Sequence, residues 1–146
     1  MEPKKINGEA MIGFLVFFSI VMSACVGTQT MVAPPDSTSI VQGGPHTGSW
    51  ESNDVSLNYQ YVYQPGTLKL NFGGSAKRGY DQLLIWITFF DAQGKLLETK
   101  SVFSSGFRQK FLKGSGSTEK TFEIPKDSTN FSFKSMLKVR TGGRNS

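Results

Sequence analysis

From Val55 the side chains alternate with a period of two: Val55, Leu57, Tyr59, Tyr61 and Tyr63 stand between Ser56, Asn58, Gln60 and Val62. Such a run is a strand with one buried face, because successive strand side chains point to opposite sides of a sheet. No stretch after residue 26 carries a helical period, so the chain must bury its apolar faces sheet against sheet. Gln64-Pro65-Gly66-Thr67 predicts a turn into a second strand, where Leu68, Leu70 and Phe72 alternate with Lys69 and Asn71. Gly73 to Tyr80 reads as a basic, glycine-bearing loop. Leu83 to Phe90 is apolar on both faces apart from Thr88, which predicts the central strand of a sheet, covered on both sides or lying at a subunit contact.

Asp91-Ala92-Gln93-Gly94 predicts a tight turn, and Lys95 to Phe103 the returning strand of a hairpin. Phe107 to Leu112 is a short candidate strand, Gly114 to Ser117 a flexible loop, and Thr118 to Ile124 a strand stopped by Pro125. Asp127 to Asn130 turns the chain again. In the last run Phe131, Phe133, Leu137 and Val139 share one parity with Ser135, while Ser132, Lys134, Lys138 and Arg140 take the other. About seven short strands with turn signals between them predict an all-β fold, a single antiparallel β-sandwich of immunoglobulin-like build over residues 50–141. The hairpin Phe89-Phe90-Asp91-Ala92-Gln93-Gly94-Lys95-Leu96-Leu97 resembles the strand, Asp-x-x-Gly turn and strand of small immunoglobulin-like or fibronectin-like domains in bacterial envelope lipoproteins. That resemblance extends loosely from Trp50 to Val139 and implies fold rather than activity.

Ahead of the domain stands a different kind of sequence. Met11 to Met22 carries no charge, fitting the h-region of an export signal, and small residues follow at Ser23 and Ala24 before Cys25, the only cysteine. Met22-Ser23-Ala24-Cys25 resembles the lipobox at which bacterial lipoproteins are cleaved and lipidated. The resemblance implies a signal peptide over residues 1–24, a diacylglyceryl group on the Cys25 thiol and an acylated new amino terminus. Two or three acyl chains make a durable anchor where one does not. Val26 after the cysteine resembles the outer-membrane sorting class, so the expected location is the cell envelope, at the outer membrane where a cell has two. The competing reading is an uncleaved anchor, since Ala10 to Val26 reaches the roughly 17-residue lower limit of a spanning helix. Residues 25–49, rich in Pro, Gly, Ser and Thr, read as the lipidated end and a flexible tether. Such a tether spans about 25 to 30 Å. Residues 142–146 read as a disordered tail.

Charge is uneven along the chain. The whole sequence carries a formal +5, yet from Cys25 to Leu68 there are three acids, Asp36, Glu51 and Asp54, and no Lys or Arg. From Lys69 onward there are 14 bases against six acids. A basic surface attracts anionic partners. For an exported chain these are envelope lipids and polymers rather than nucleic acid. The candidate anionic-ligand patch is Lys77, Arg78, Lys134, Lys138 and Arg140. With Cys25 committed to lipid, neither a disulfide nor a thiolate metal site forms within one chain.

The residues point to no catalytic constellation, metal or cofactor. His46, the single histidine, falls in the tether, where it reads as an ordinary exposed side chain. Asp81 and Asp91 flank the central strand at opposite ends, too far apart for a carboxylate pair. Glu119 and Glu123 share one side of a strand and read as a solvated face, and Asp91-Ala-Gln-Gly reads as a turn rather than a calcium loop. Trp50, Tyr59, Tyr61, Tyr63 and Trp86 read as core packing before they read as a sugar-stacking platform, with Trp86 in or beside the core. The expectation is a non-catalytic domain that binds another envelope protein or polymer, or alternatively an anionic glycan or lipid through its basic C-terminal half.

Overall fold

The computed structural model describes residues 32–105 and 117–139. These form eight strands: β1 (Thr38–Ser39), β2 (Gly43–Glu51), β3 (Val55–Gln64), β4 (Thr67–Ala76), β5 (Gln82–Phe90), β6 (Leu96–Ser105), β7 (Thr118–Glu123) and β8 (Asn130–Lys138). They make two antiparallel four-stranded sheets, β1-β8-β5-β6 (sheet A) and β2-β3-β4-β7 (sheet B). The segment 1–24, Cys25, the candidate strand from Phe107 to Leu112, Arg140 and the tail 142–146 lie outside the described residues.

The period-two runs do what their spacing demands. Val55, Leu57, Tyr59 and Tyr61 of β3, with Leu68, Leu70 and Phe72 of β4, turn one side of sheet B inward. They meet Leu83, Ile85, Ile87 and Phe89 of β5 and Phe131 and Phe133 of β8 in a single core, consistent with a β-sandwich. Phe131 organises its centre. Its ring lies edge-on to Tyr61 at 5.3 Å, to Tyr59 at 5.8 Å and to Phe133 at 5.6 Å between centroids, the arrangement aromatic quadrupoles favour. The Tyr59 hydroxyl reaches out of this cluster to Thr38 Oγ1 at 2.7 Å, and the Tyr61 hydroxyl donates to the Ser39 carbonyl at 2.9 Å. Both tyrosines thus bury their rings while satisfying their polar ends.

Two expectations are corrected here. The segment 43–49, read as tether, is most of β2, and 38–39 form β1. Loop-like composition misleads because β2 is an edge strand, where a proline costs no ladder bond and a register break between Gly43 and His46 takes up Gly44-Pro45. Gly48 has a steric reason to be glycine: a Cβ there would stand 2.5 Å from the Tyr59 ring. Strand structure is therefore present from Thr38, ahead of Trp50.

The second correction concerns the end of β4: Gly73 to Ala76, read as the start of a loop, continue the strand. The two-residue link Pro65-Gly66 keeps β4 beside β3, paired from Gln64↔Thr67 to Val55↔Ala76. What holds is an all-β fold of two packed antiparallel sheets.

Candidate functional site

Parity on the central strand decides where a surface site forms. Because Leu83, Ile85, Ile87 and Phe89 take the inner face of β5, Trp86 and Thr88 must face outward, and both are only partly buried. Trp86, expected in or beside the core, thus lies outside it on the outer face of sheet A. On neighbouring β8 the same alternation sends Lys134, Met136 and Lys138 outward, with Met136 48% exposed. The register Trp86↔Lys134 and Leu84↔Met136 sets these side chains beside one another.

The result is a groove of about 780 Å³ on the outer face of sheet A, lined by Pro34, Asp36, Trp86, Thr88, Phe90, Leu96, Thr99, Ser132, Phe133, Lys134, Ser135 and Met136. The Thr88 and Thr99 hydroxyls bond each other at 3.0 Å. One wall is the segment leading into β1. Its start lies against the β5–β6 turn, where a Cβ on Gly94 would come within 3.1 Å of the Ala33 nitrogen. It is fixed further on, where Asp36 Oδ2 accepts a 2.8 Å hydrogen bond from Trp50 Nε1 and Ser37 N donates to the Pro34 carbonyl at 3.0 Å. Asp36 is the only acidic lining residue among the described residues.

The expected basic patch divides in two. Lys77 pairs with Glu51 at 2.5 Å and Arg78 with Asp54 at 2.6 Å, so their charge is answered locally. The Lys77 hydrogen bond and charge hold the Glu51 carboxyl below its ordinary value. The tie is therefore present at neutral pH and lost as pH falls through the Glu51 titration, and its exposure to solvent makes it weak. Lys134 and Lys138 have no ion pair among the described residues and stand exposed on the groove side of β8.

Other residues singled out in the sequence fall in structural roles. Trp50, Tyr59 and Tyr61 are 8%, 7% and 3% exposed, so no stacking platform forms from them. His46 is not an exposed tether residue: it lies on β2, partly buried, with its ring centroid 5.1 Å from that of Tyr61 and its Nε2 without a hydrogen-bond partner among the described residues. It turns inward because it shares parity with Trp50, which sequence composition did not reveal. Asp91 Oδ1 accepts from Gln93 N at 2.9 Å and Lys95 N at 2.8 Å, building the hairpin turn. Glu119 bonds Lys69 at 3.0 Å on the solvated face of sheet B. Among the described residues no group of three or more His, Cys, Asp and Glu side chains is placed to hold a metal.

On the opposite side of the sandwich, sheet B presents a polar surface. Asn58, Gln60, Asn71, Thr47 and Ser117 line a shallow hollow of about 380 Å³ there. Because Trp86 sits on the surface, Trp86→Ala is expected to cost about 1 kcal/mol, well below the roughly 3–5 kcal/mol of core aromatic truncations. The urea midpoint of the purified variant measures this. No protein family, curated protein or solved structure matches the chain.

Proposed function

We propose that this chain is a lipid-anchored lipoprotein of the bacterial cell envelope, held by Cys25, whose non-catalytic domain binds another envelope protein or polymer. The observation that carries the reading is the uncharged run ending in Met22-Ser23-Ala24-Cys25, close ahead of the folded domain. Only six residues stand between Cys25 and Val32, the first described residue. Fully extended, that span reaches about 25 Å. The domain works close to the membrane rather than at the end of a long tether. Its immunoglobulin-like character lies in the two packed antiparallel sheets, an architecture shared by many envelope and surface domains of differing strand order.

The amide-bearing hollow on sheet B supports recognition of a polymer or protein backbone. Asn58, Gln60 and Asn71 each offer both a donor and an acceptor, and Gln60 and Asn71 are direct cross-strand partners. A second reading, binding of an anionic glycan or lipid, is favoured by the absence of ion pairs at Lys134 and Lys138 among the described residues.

Cys25→Ser tests the anchor. The wild type should incorporate labelled palmitate and fractionate with membranes, and the variant should lose the label completely. Wild-type protein that takes up no palmitate, or a variant that still does, defeats the lipoprotein reading. The partner is tested by changing Asn58, Gln60 and Asn71 together to Ala: the lipidated variant should no longer co-purify the envelope component that accompanies the wild type, and unchanged co-purification removes sheet B from the reading.

A further inference from the structure

We infer that the outer face of sheet A is the side on which the domain seats against the anionic bilayer that holds its own anchor, with Trp86 and Met136 at the lipid interface and Lys134 and Lys138 over the headgroups. The inference rests on the proposed lipidation of Cys25 and adds to it an orientation and a contact surface.

The first support is the reach of the chain. The segment that walls the groove with Pro34 and Asp36 is described from Val32, and the anchor cannot lie more than about 25 Å from Val32. A domain of about a hundred residues has a radius of gyration near 13 Å, so the anchor cannot stand freely on the far side of the molecule. The bilayer therefore lies within reach of this face.

The second support is the chemistry of the face. Trp86, Leu96 and Met136 are apolar side chains left partly or largely open to solvent, in a groove whose floor is closed by Phe90. Aromatic and basic side chains set side by side suit a membrane–water boundary, where the ring lies at headgroup depth and the ammonium meets phosphate. Trp86 and Lys134 are cross-strand partners, and Lys138 follows one β8 spacing beyond Met136 on the same side. The third support is charge. Lys77, Arg78, Lys69 and Lys100 have carboxylate partners, whereas Lys134 and Lys138, like Lys95, Lys120 and Lys126 elsewhere, have none among the described residues, and of these Lys134 and Lys138 stand on the outer face of β8. The single groove carboxylate, Asp36, is already engaged by Trp50. The opposite face, on sheet B, carries Glu119 and Glu123 and the amide side chains. Seating sheet A on lipid turns that polar face toward the envelope partner.

The test uses the full chain carrying its lipid, with the mass of Cys25 checked, reconstituted into phosphatidylglycerol–phosphatidylethanolamine vesicles whose acyl chains are brominated near the headgroup. Trp50 is buried, so the difference between wild type and Trp86→Phe isolates the emission of Trp86. That emission should fall at least twofold relative to unbrominated vesicles, and much less in brominated phosphatidylcholine. Lys134→Gln with Lys138→Gln should restore it, since two surface lysines near an anionic leaflet are worth roughly 30-fold in association. Equal Trp86 emission with and without bromine, in protein whose Cys25 carries diacylglyceryl, overturns the seating and leaves the lipoprotein reading intact. Equal quenching in neutral and anionic vesicles overturns the charge-directed orientation. An unmodified Cys25 overturns both readings.

Discussion

Phe131→Ala should be the most damaging single truncation in the described domain, lowering stability by about 3–5 kcal/mol. Phe131 is fully buried and touches three other rings, Tyr59, Tyr61 and Phe133, with sheet A contributing two members of the cluster and sheet B the other two. Its removal opens a cavity where the two sheets meet, and tyrosines tied by their hydroxyls to Thr38 and Ser39 are poorly free to collapse into it. A domain of this size has a total stability of about 5–15 kcal/mol, so the variant loses a large share of it. At about 4–8 °C per kcal/mol, the thermal midpoint falls by more than 10 °C. Tyr59→Phe is the control. It keeps the ring and removes only the bond to Thr38, so its cost should be near 1 kcal/mol. A Phe131→Ala midpoint within a few degrees of wild type would show that this cluster does not hold the sheets together.

Gly74→Ala should cost about 3 kcal/mol, at the upper end of what overpacking imposes. A Cβ at this position would overlap the Ser56 carbonyl oxygen and press on Leu57 Cα. Both neighbours are backbone atoms of β3, so no side-chain rotation relieves the clash, and the β3–β4 ladder must open where Leu57 pairs with Gly74. Gly79→Ala provides the contrast, because a Cβ there meets nothing within 4 Å and the residue does not occupy the left-handed region. That change should be neutral or slightly stabilising, through the smaller entropy of the unfolded chain. Chemical denaturation of the two variants side by side distinguishes a local steric effect in β4 from a general intolerance of alanine at glycine positions.

Much of the architecture was legible in residues 55–139. The alternation of Val55 to Tyr63 and of Leu68 to Phe72, and the shared parity of Phe131, Phe133 and Leu137, marked the inward faces that are found. They did so because a period of two admits only one assignment of side chains to the buried side. The Asp91 turn was equally plain, since a carboxylate that can cap the amides of Gln93 and Lys95 is a local device needing no distant contact. The glycine-rich stretch around His46 was not. It is held as β2 by the edge of β3 and by the room Gly48 leaves for the Tyr59 ring, both of them contacts made across the sheet.

Local sequence thus carried what depends on neighbours along the chain: the strands β3 to β8, the buried faces of β3, β4 and β8, the hairpin turn and the charge asymmetry. Strand order, the start of the domain and the character of its surface depended on residues far apart in sequence. Leu83 to Phe90 was apolar on both sides, and nothing in that run stated which side would face the core. The choice followed from which set filled the space opposite Leu57, Leu70 and Phe72, and it left Trp86 beside Lys134 on the outside. Likewise Lys77 and Arg78 looked no different from Lys134 and Lys138 until folding set Glu51 and Asp54 against the first pair alone. Period is a property of consecutive residues, whereas the environment of a face or a charge is set by whatever the fold brings against it.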